Sequence, residues 1–152
     1  MRITTYSIEL DNELCVLVKR GAVNYNTAPL NRADLIVKMM NSVYRIDRKA
    51  EEHVYILGMN SKCKIIGVFH LSKGTMDASI VVPRDIFIRL FLCGAGNFIM
   101  IHNHPSGSVM PSREDISTTK RIKECSELIG IRFLDHIIIG DGYYSFNEYG
   151  NL

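Results

Sequence analysis

A chain of 152 residues with 47% hydrophobic side chains is long enough for one domain with one sizeable core. Its formal charge of +2 is too mild to imply a nucleic-acid binder, and no dense Lys/Arg block accompanies it. No apolar run approaches the roughly 18 residues of a membrane span, and the N-terminus lacks a signal-peptide core, so the chain is expected to stay in the cytoplasm.

Thr4 to Leu10 and Glu13 to Arg20 are predicted strands around the turn pair Asp11-Asn12, a hairpin too small to be a domain alone. Gly21 to Leu30 is a predicted loop. Asn31 opens a helix on which Leu35, Ile36, Met39, Met40, Val43 and Tyr44 form an amphipathic stripe, a pattern that packs a core. Glu52 to Met59 and Lys64 to Phe69 read as a hairpin buried on both faces, turning at Asn60-Ser61-Lys62. Ser72 to Ala78 is a predicted loop and Ser79 to Val82 a short strand. Pro83 suits the first turn of a helix that mostly buries Ile86, Phe87, Leu90, Phe91 and Cys93, with Gly94 and Gly96 ending it.

Phe98 to Ile101 is the end of a buried strand, and alternation along it makes His102 and His104 face one way and Asn103 the other. Pro105 keeps His104 extended. After a turn rich in Gly, Ser and Pro, a helix runs from Arg113 to about Ile129, with Ser112 at its N-cap, Asp115 at its third position and Gly130 beyond its end. Arg113, Lys120, Arg121 and Lys123 are interspersed with Glu114, Glu124 and Glu127, as on a solvated face. Arg132 to Ile139 and Tyr143 to Phe146 are strands around Gly140-Asp141-Gly142. Helices interleaved with hairpins imply an α/β layered domain with a mixed sheet.

Two imidazoles and a carboxylate, at His102, His104 and Asp115, make the three-ligand set of a catalytic zinc site, which keeps a fourth position for water. Zinc held there would bring the pKa of its water from about 15.7 toward about 7. The plainer reading of each residue alone is a hydrogen-bonded loop histidine or an aspartate complementing a helix dipole; the joint spacing favours zinc. Ser112 and Asp115 also form a capping-box pattern, which leaves the serine hydroxyl one proton to offer an oxyanion. Glu52 or Glu51, at the mouth of a buried strand, is a candidate general base, and spacing alone does not separate them. His136 after Asp135 reads either as support for the ligands or as strand packing; His53 and His70 read as structural. Ser106 has no organised His/Asp pair and no nucleophilic role. Cys15, Cys63, Cys93 and Cys125 lie far apart and read as reduced, mostly buried thiols.

His102-Asn103-His104, then Pro105 to Pro111, then Ser112-Arg113-Glu114-Asp115, with a glutamate upstream, resembles the JAMM (JAB or MPN+) metalloprotease motif. His-Asn-His-Pro-Ser-Gly, Pro-Ser-Arg-Glu-Asp and Leu134-Asp135-His136-Ile137-Ile138-Ile139 resemble, more narrowly, the bacterial RadC-type proteins. The resemblance covers roughly Pro29 to Leu152, leaving residues 1–28 as an N-terminal hairpin extension in the place where RadC-type proteins commonly carry a helix-hairpin-helix. It implies a JAB/MPN-like fold with a mostly antiparallel mixed sheet flanked by helices. It also implies zinc on His102, His104 and Asp115, Glu52 rather than Glu51 as general base, Ser112 at the oxyanion, and hydrolysis of a peptide or isopeptide bond in a peptide or protein substrate. The alternative it carries is a DNA-associated or scaffold module with a structural or inactive zinc site, as the family's DNA-repair label suggests; hydrolysis of a phosphodiester or nucleobase ranks last.

Overall fold

The computed structural model describes residues 1–10, 15–25, 30–74 and 81–152, with Cys15 described in its backbone alone. The predicted turn at Asp11-Asn12 lies outside them. Seven strands, β1 (Arg2–Leu10), β2 (Cys15–Asn24), β3 (Glu52–Met59), β4 (Ile65–Gly74), β5 (Asn97–Asn103), β6 (Arg132–Gly140) and β7 (Gly142–Ser145), form one sheet in the order β2-β1-β4-β3-β5-β6-β7. The β1/β4 and β5/β6 pairs are parallel and the other neighbours antiparallel. This is the expected mixed, mostly antiparallel α/β architecture. The helices are α1 (Ala33–Tyr44), α2 (Pro83–Leu92) and α3 (Arg113–Ile129).

Strand alternation divides the core into two layers. On one face Ile36, Met39 and Met40 of α1 pack on Tyr55, Leu57, Ile99, Ile101, Ile137 and Ile139. On the other, Ile86, Phe87 and Leu90 of α2 and Ile122 of α3 pack on Val54, Ile56, Phe98, Met100 and Phe133. Every residue of β5 is buried, so its alternate side chains feed both layers. His102 belongs to the α3 side with Phe98 and Met100, and Asn103 to the α1 side.

Several boundaries differ from the sequence expectation. Gly21 to Asn24 stay in β2 because they pair with Arg2 to Thr5. Ser72 to Gly74 continue β4 against Glu52 to Val54. Val81 and Val82 are not strand, and Val82 is the N-cap of α2; the rest of that predicted strand, and 75–78, lie outside the described residues. The N-cap of α1 is Arg32 rather than Asn31. Phe91 is exposed, being one position past the buried stripe of α2, and Cys63 is exposed at the β3–β4 turn with φ 55°. Cys93 and Cys125 are half-buried, and the described cysteines are free thiols. No helix among the described residues is long and apolar enough to cross a membrane.

Candidate metal centre

The C-terminal ends of β5 and β6, the start of β3 and the first turn of α3 meet at one place. His104 follows β5 directly, and its backbone N–H donates to the Ile139 carbonyl at 2.8 Å, extending the β5/β6 pairing by one residue. The loop then turns at Gly107, whose φ of 83° suits glycine, and the Asp141 N–H donates to the Gly107 carbonyl at 2.7 Å. This docks the loop on the β6–β7 turn and brings the chain back to Ser112. There the Ser112 hydroxyl oxygen accepts from the Asp115 N–H at 3.0 Å, and Asp115 Oδ2 accepts from the Ser112 N–H at 2.7 Å, a complete capping box. Such a cap stabilises a helix by about 1 kcal/mol, and here it also fixes the Asp115 rotamer.

The structure brings His102, His104 and Asp115 together: their donor atoms all lie within 4.8 Å of one another. The Nε2 atoms of the two histidines are 3.0 Å apart, His102 Nε2 is 3.2 Å from Asp115 Oδ1, and His104 Nε2 is 3.4 Å from Asp115 Oδ2. His102 and Asp115 are fully buried, and the His104 side chain is 12% exposed, which leaves one open side. Burial pushes the Asp115 carboxyl up, but the imidazoles of His102 and His104 and the Ser112 hydroxyl outweigh it and hold the group well below the usual carboxylate range. In return the Asp115 carboxylate raises the basicity of His104.

The donor set fits a metal on an independent ground. Asp115 Oδ2 takes the capping contacts, while Oδ1 is buried, makes no well-formed hydrogen bond and has His102 Nε2 3.2 Å away. A buried, ionised oxygen without a donor is costly unless a cation faces it. His104 Nδ1 lies 2.8 Å from the Ser108 carbonyl, which can only accept, so Nδ1 carries a proton and Nε2 is the nitrogen turned to the group. Two nitrogens and one carboxylate oxygen match zinc.

The remaining predicted residues sit as follows. Glu52 opens β3 on the same sheet face as Val54, which is paired with His102, so it lies on the face of the metal-ligand candidates, and its charge acts on His104. Glu51 instead forms an exposed ion pair with Lys73 at 2.6 Å. The Ser112 hydroxyl donates to Asp115 Oδ2 at 2.6 Å, so the proton that the sequence left over is directed at the carboxylate here. His53 and His70 contact each other on the opposite face, at 2.9 Å, away from the trio. His136 supports the site: its Nε2 is 2.8 Å from His102 Nδ1. Asp135 does not share that role: as the neighbour of His136 on β6 it points to the other face, where its carboxylate accepts from the Ser145 hydroxyl and the Asn147 N–H.

Three contributors escaped the sequence reading. Thr119 contacts His136 Nδ1 at 2.6 Å; it lies one helical turn after Asp115, a spacing that could have placed it beneath the site. Ser108 acts through its carbonyl, which no side-chain pattern reveals. Asn103 accepts the His53 N–H at 2.9 Å and donates to the Glu51 carbonyl at 3.0 Å, gripping the peptide groups on either side of Glu52.

An α/β/α domain that ends a central strand in His-x-His and returns an aspartate from the next helix defines a class, and the sequence profile of the RadC-like JAB domain family matches residues 30–151. The chain belongs to that family. It is 42% identical over 127 residues to a UPF0758 protein of Clostridium acetobutylicum, covering 83% of this chain and 53% of that one. It is 44% identical over 119 residues to a UPF0758 protein of Staphylococcus aureus, covering 78% and 52%. A relative from Staphylococcus haemolyticus is 41% identical over 119 residues, covering 78% and 50%. The chain thus spans about half the length of the curated relatives it matches.

Proposed function

We propose that this domain is a zinc-dependent hydrolase of JAMM type that cleaves a peptide or isopeptide bond in a peptide or protein substrate. The observation that carries the reading is the fully buried Asp115 carboxylate, whose Oδ1 makes no well-formed hydrogen bond and faces His102 Nε2 at 3.2 Å while Oδ2 faces His104 Nε2 at 3.4 Å. His102, His104 and Asp115 hold the ion, which when bound supplies a water acidic enough to be deprotonated at neutral pH. Glu52, on the same sheet face and close enough to influence His104, accepts a proton and returns it to the leaving nitrogen. Asn103 keeps Glu52 in place by holding both flanking peptide groups. The Ser112 hydroxyl keeps its cap by accepting from the Asp115 N–H while its O–H rotates from the carboxylate to an oxyanion. Free thiols at Cys63, Cys93 and Cys125 support a reducing, cytoplasmic setting.

The test begins with metal content. Elemental analysis of protein purified without added zinc is expected to give close to one equivalent, lost in His102→Ala/His104→Ala. Glu52→Gln is expected to keep the zinc and lose at least about a hundredfold in turnover of any peptide or isopeptide found as substrate. A folded wild type that refuses zinc sinks the reading, and so does a zinc-loaded Glu52→Gln that turns over normally.

A further inference from the structure

We propose that Thr119 and His136 are positioning residues that keep a proton on Nδ1 of His102, so that its Nε2 is the nitrogen turned toward Asp115 and His104. The argument is a count of hydrogens along a buried chain. Thr119 Oγ1 lies 2.6 Å from the Asp115 carbonyl oxygen and 2.6 Å from His136 Nδ1. The carbonyl has no hydrogen, so the single hydroxyl proton of Thr119 goes to it. The hydroxyl oxygen must then accept from His136, which places a proton on His136 Nδ1.

His136 is completely buried, which favours the neutral ring, and a neutral ring protonated on Nδ1 has a bare Nε2. That Nε2 is 2.8 Å from His102 Nδ1, a contact that needs one hydrogen, and only His102 can supply it. With its proton on Nδ1, His102 presents Nε2 to the Asp115 and His104 side chains. A 180° turn of either ring would swap its nitrogens for carbons and break its contacts on both sides. His136 stacks on Phe146 with centroids 4.9 Å apart and an 8° tilt, and the Phe146 N–H donates to the His136 carbonyl at 3.0 Å.

Thr119 hangs on the carbonyl of Asp115 itself, so the residue that supplies the carboxylate also anchors the relay orienting an imidazole. The consequence for zinc rests on the reading above, because the orientation of Nε2 matters only if it is a ligand. Loss of such support typically costs 10–100-fold in metal affinity.

The experiment has two readouts. Long-range nitrogen–hydrogen NMR correlations of the imidazoles in metal-free protein are expected to show His136 and His102 both protonated on Nδ1. Thr119→Val, nearly isosteric without the hydroxyl, is expected to shift His136 toward a mixture of tautomers and to weaken zinc at least about tenfold in competition with a chromophoric chelator. Thr119→Ser should restore both, and a thermal midpoint of metal-free Thr119→Val near that of wild type separates the effect from loss of the fold. If Thr119→Val does not fold, His136→Gln, whose amide oxygen replaces Nε2 as acceptor, should bind zinc more tightly than His136→Leu. Nε2-protonated His136 in wild type overturns the proposal, as does Thr119→Val with unchanged tautomers and zinc affinity. Should wild type bind no zinc, the zinc reading falls while the NMR result still decides the relay.

Discussion

Asp115 and Asp135 are both buried aspartates, yet their surroundings drive them in opposite directions. Asp115 has imidazoles and the Ser112 hydroxyl against it and stays ionised. Asp135 is pushed up to about 6 by burial, against the lowering influence of the Ser145 hydroxyl and the Asn147 N–H. The unfolded chain ionises Asp135 near the ordinary 3.8, so between about 4 and 6 the folded form holds the extra proton. Its stabilising contribution is therefore complete below about pH 4 and is lost as pH rises through 6. Asp135→Asn lacks this dependence. Relative to Asp135→Asn, the wild type is expected to lose about 2 kcal/mol of unfolding free energy between about pH 4.5 and 7.5, and urea melts of both proteins across that range check it. A constant difference would mean that Asp135 titrates normally. Sequence placed Asp135 beside His136 as one possible supporting pair, and strand alternation explains why only half of that held: His136 lies opposite Met100, while Asp135 lies opposite Ile99 and points to the other face.

The elements that build the site were legible where periodicity governs them. β5 is buried end to end, α3 carries its cap and its terminal Gly130, and both appear in the sequence as an apolar run and a capping pattern. What spacing could not show is how the loop between them is held. Gly140-Asp141-Gly142 read as a hairpin turn, for which glycine conformation is the usual reason. Gly142 has the left-handed φ, 116°, but Gly140 is required by closeness: a Cβ there would lie 2.3 Å from the Gly107 carbonyl oxygen and 3.0 Å from that of Ser108. Both contacts are backbone and cannot swing aside. Gly140→Ala should therefore push the 104–111 loop off the β6–β7 turn and pull the Ser108 carbonyl away from His104 Nδ1. The expected cost is about 1–3 kcal/mol of stability and at least about tenfold in zinc affinity, read by chemical denaturation and chelator competition. Gly142→Ala offends only its own φ and should leave zinc affinity nearly unchanged.

Across the molecule, the part least legible in advance was the relation of the N-terminal hairpin to the rest. Hydropathy predicted two short strands and the resemblance began near Pro29, so nothing local said which edge of the sheet they would join; strand order depends on contacts between residues far apart in sequence. In the structure Thr5 and Tyr6 pair in parallel with Val68 and Phe69 of β4, and Tyr6 stacks on Phe69 with centroids 5.9 Å apart. The Thr5 hydroxyl meets the Tyr44 hydroxyl of α1 at 2.8 Å. Ile3 is 1% exposed and sits in the same apolar cluster as Ile36 and Met39 of α1. These contacts predict that the hairpin unfolds with the domain in one cooperative transition. Ile3→Ala should then lower stability by about 2–5 kcal/mol, the ordinary range for truncating a buried isoleucine, and should do so in the same transition that Ile36→Ala affects. Denaturant melts followed by far-UV circular dichroism and by tyrosine fluorescence should coincide for both variants. An Ile3→Ala protein with an unchanged main transition, or with a separate early one, would show that the hairpin is an appendage whose pairing to β4 adds little to the core.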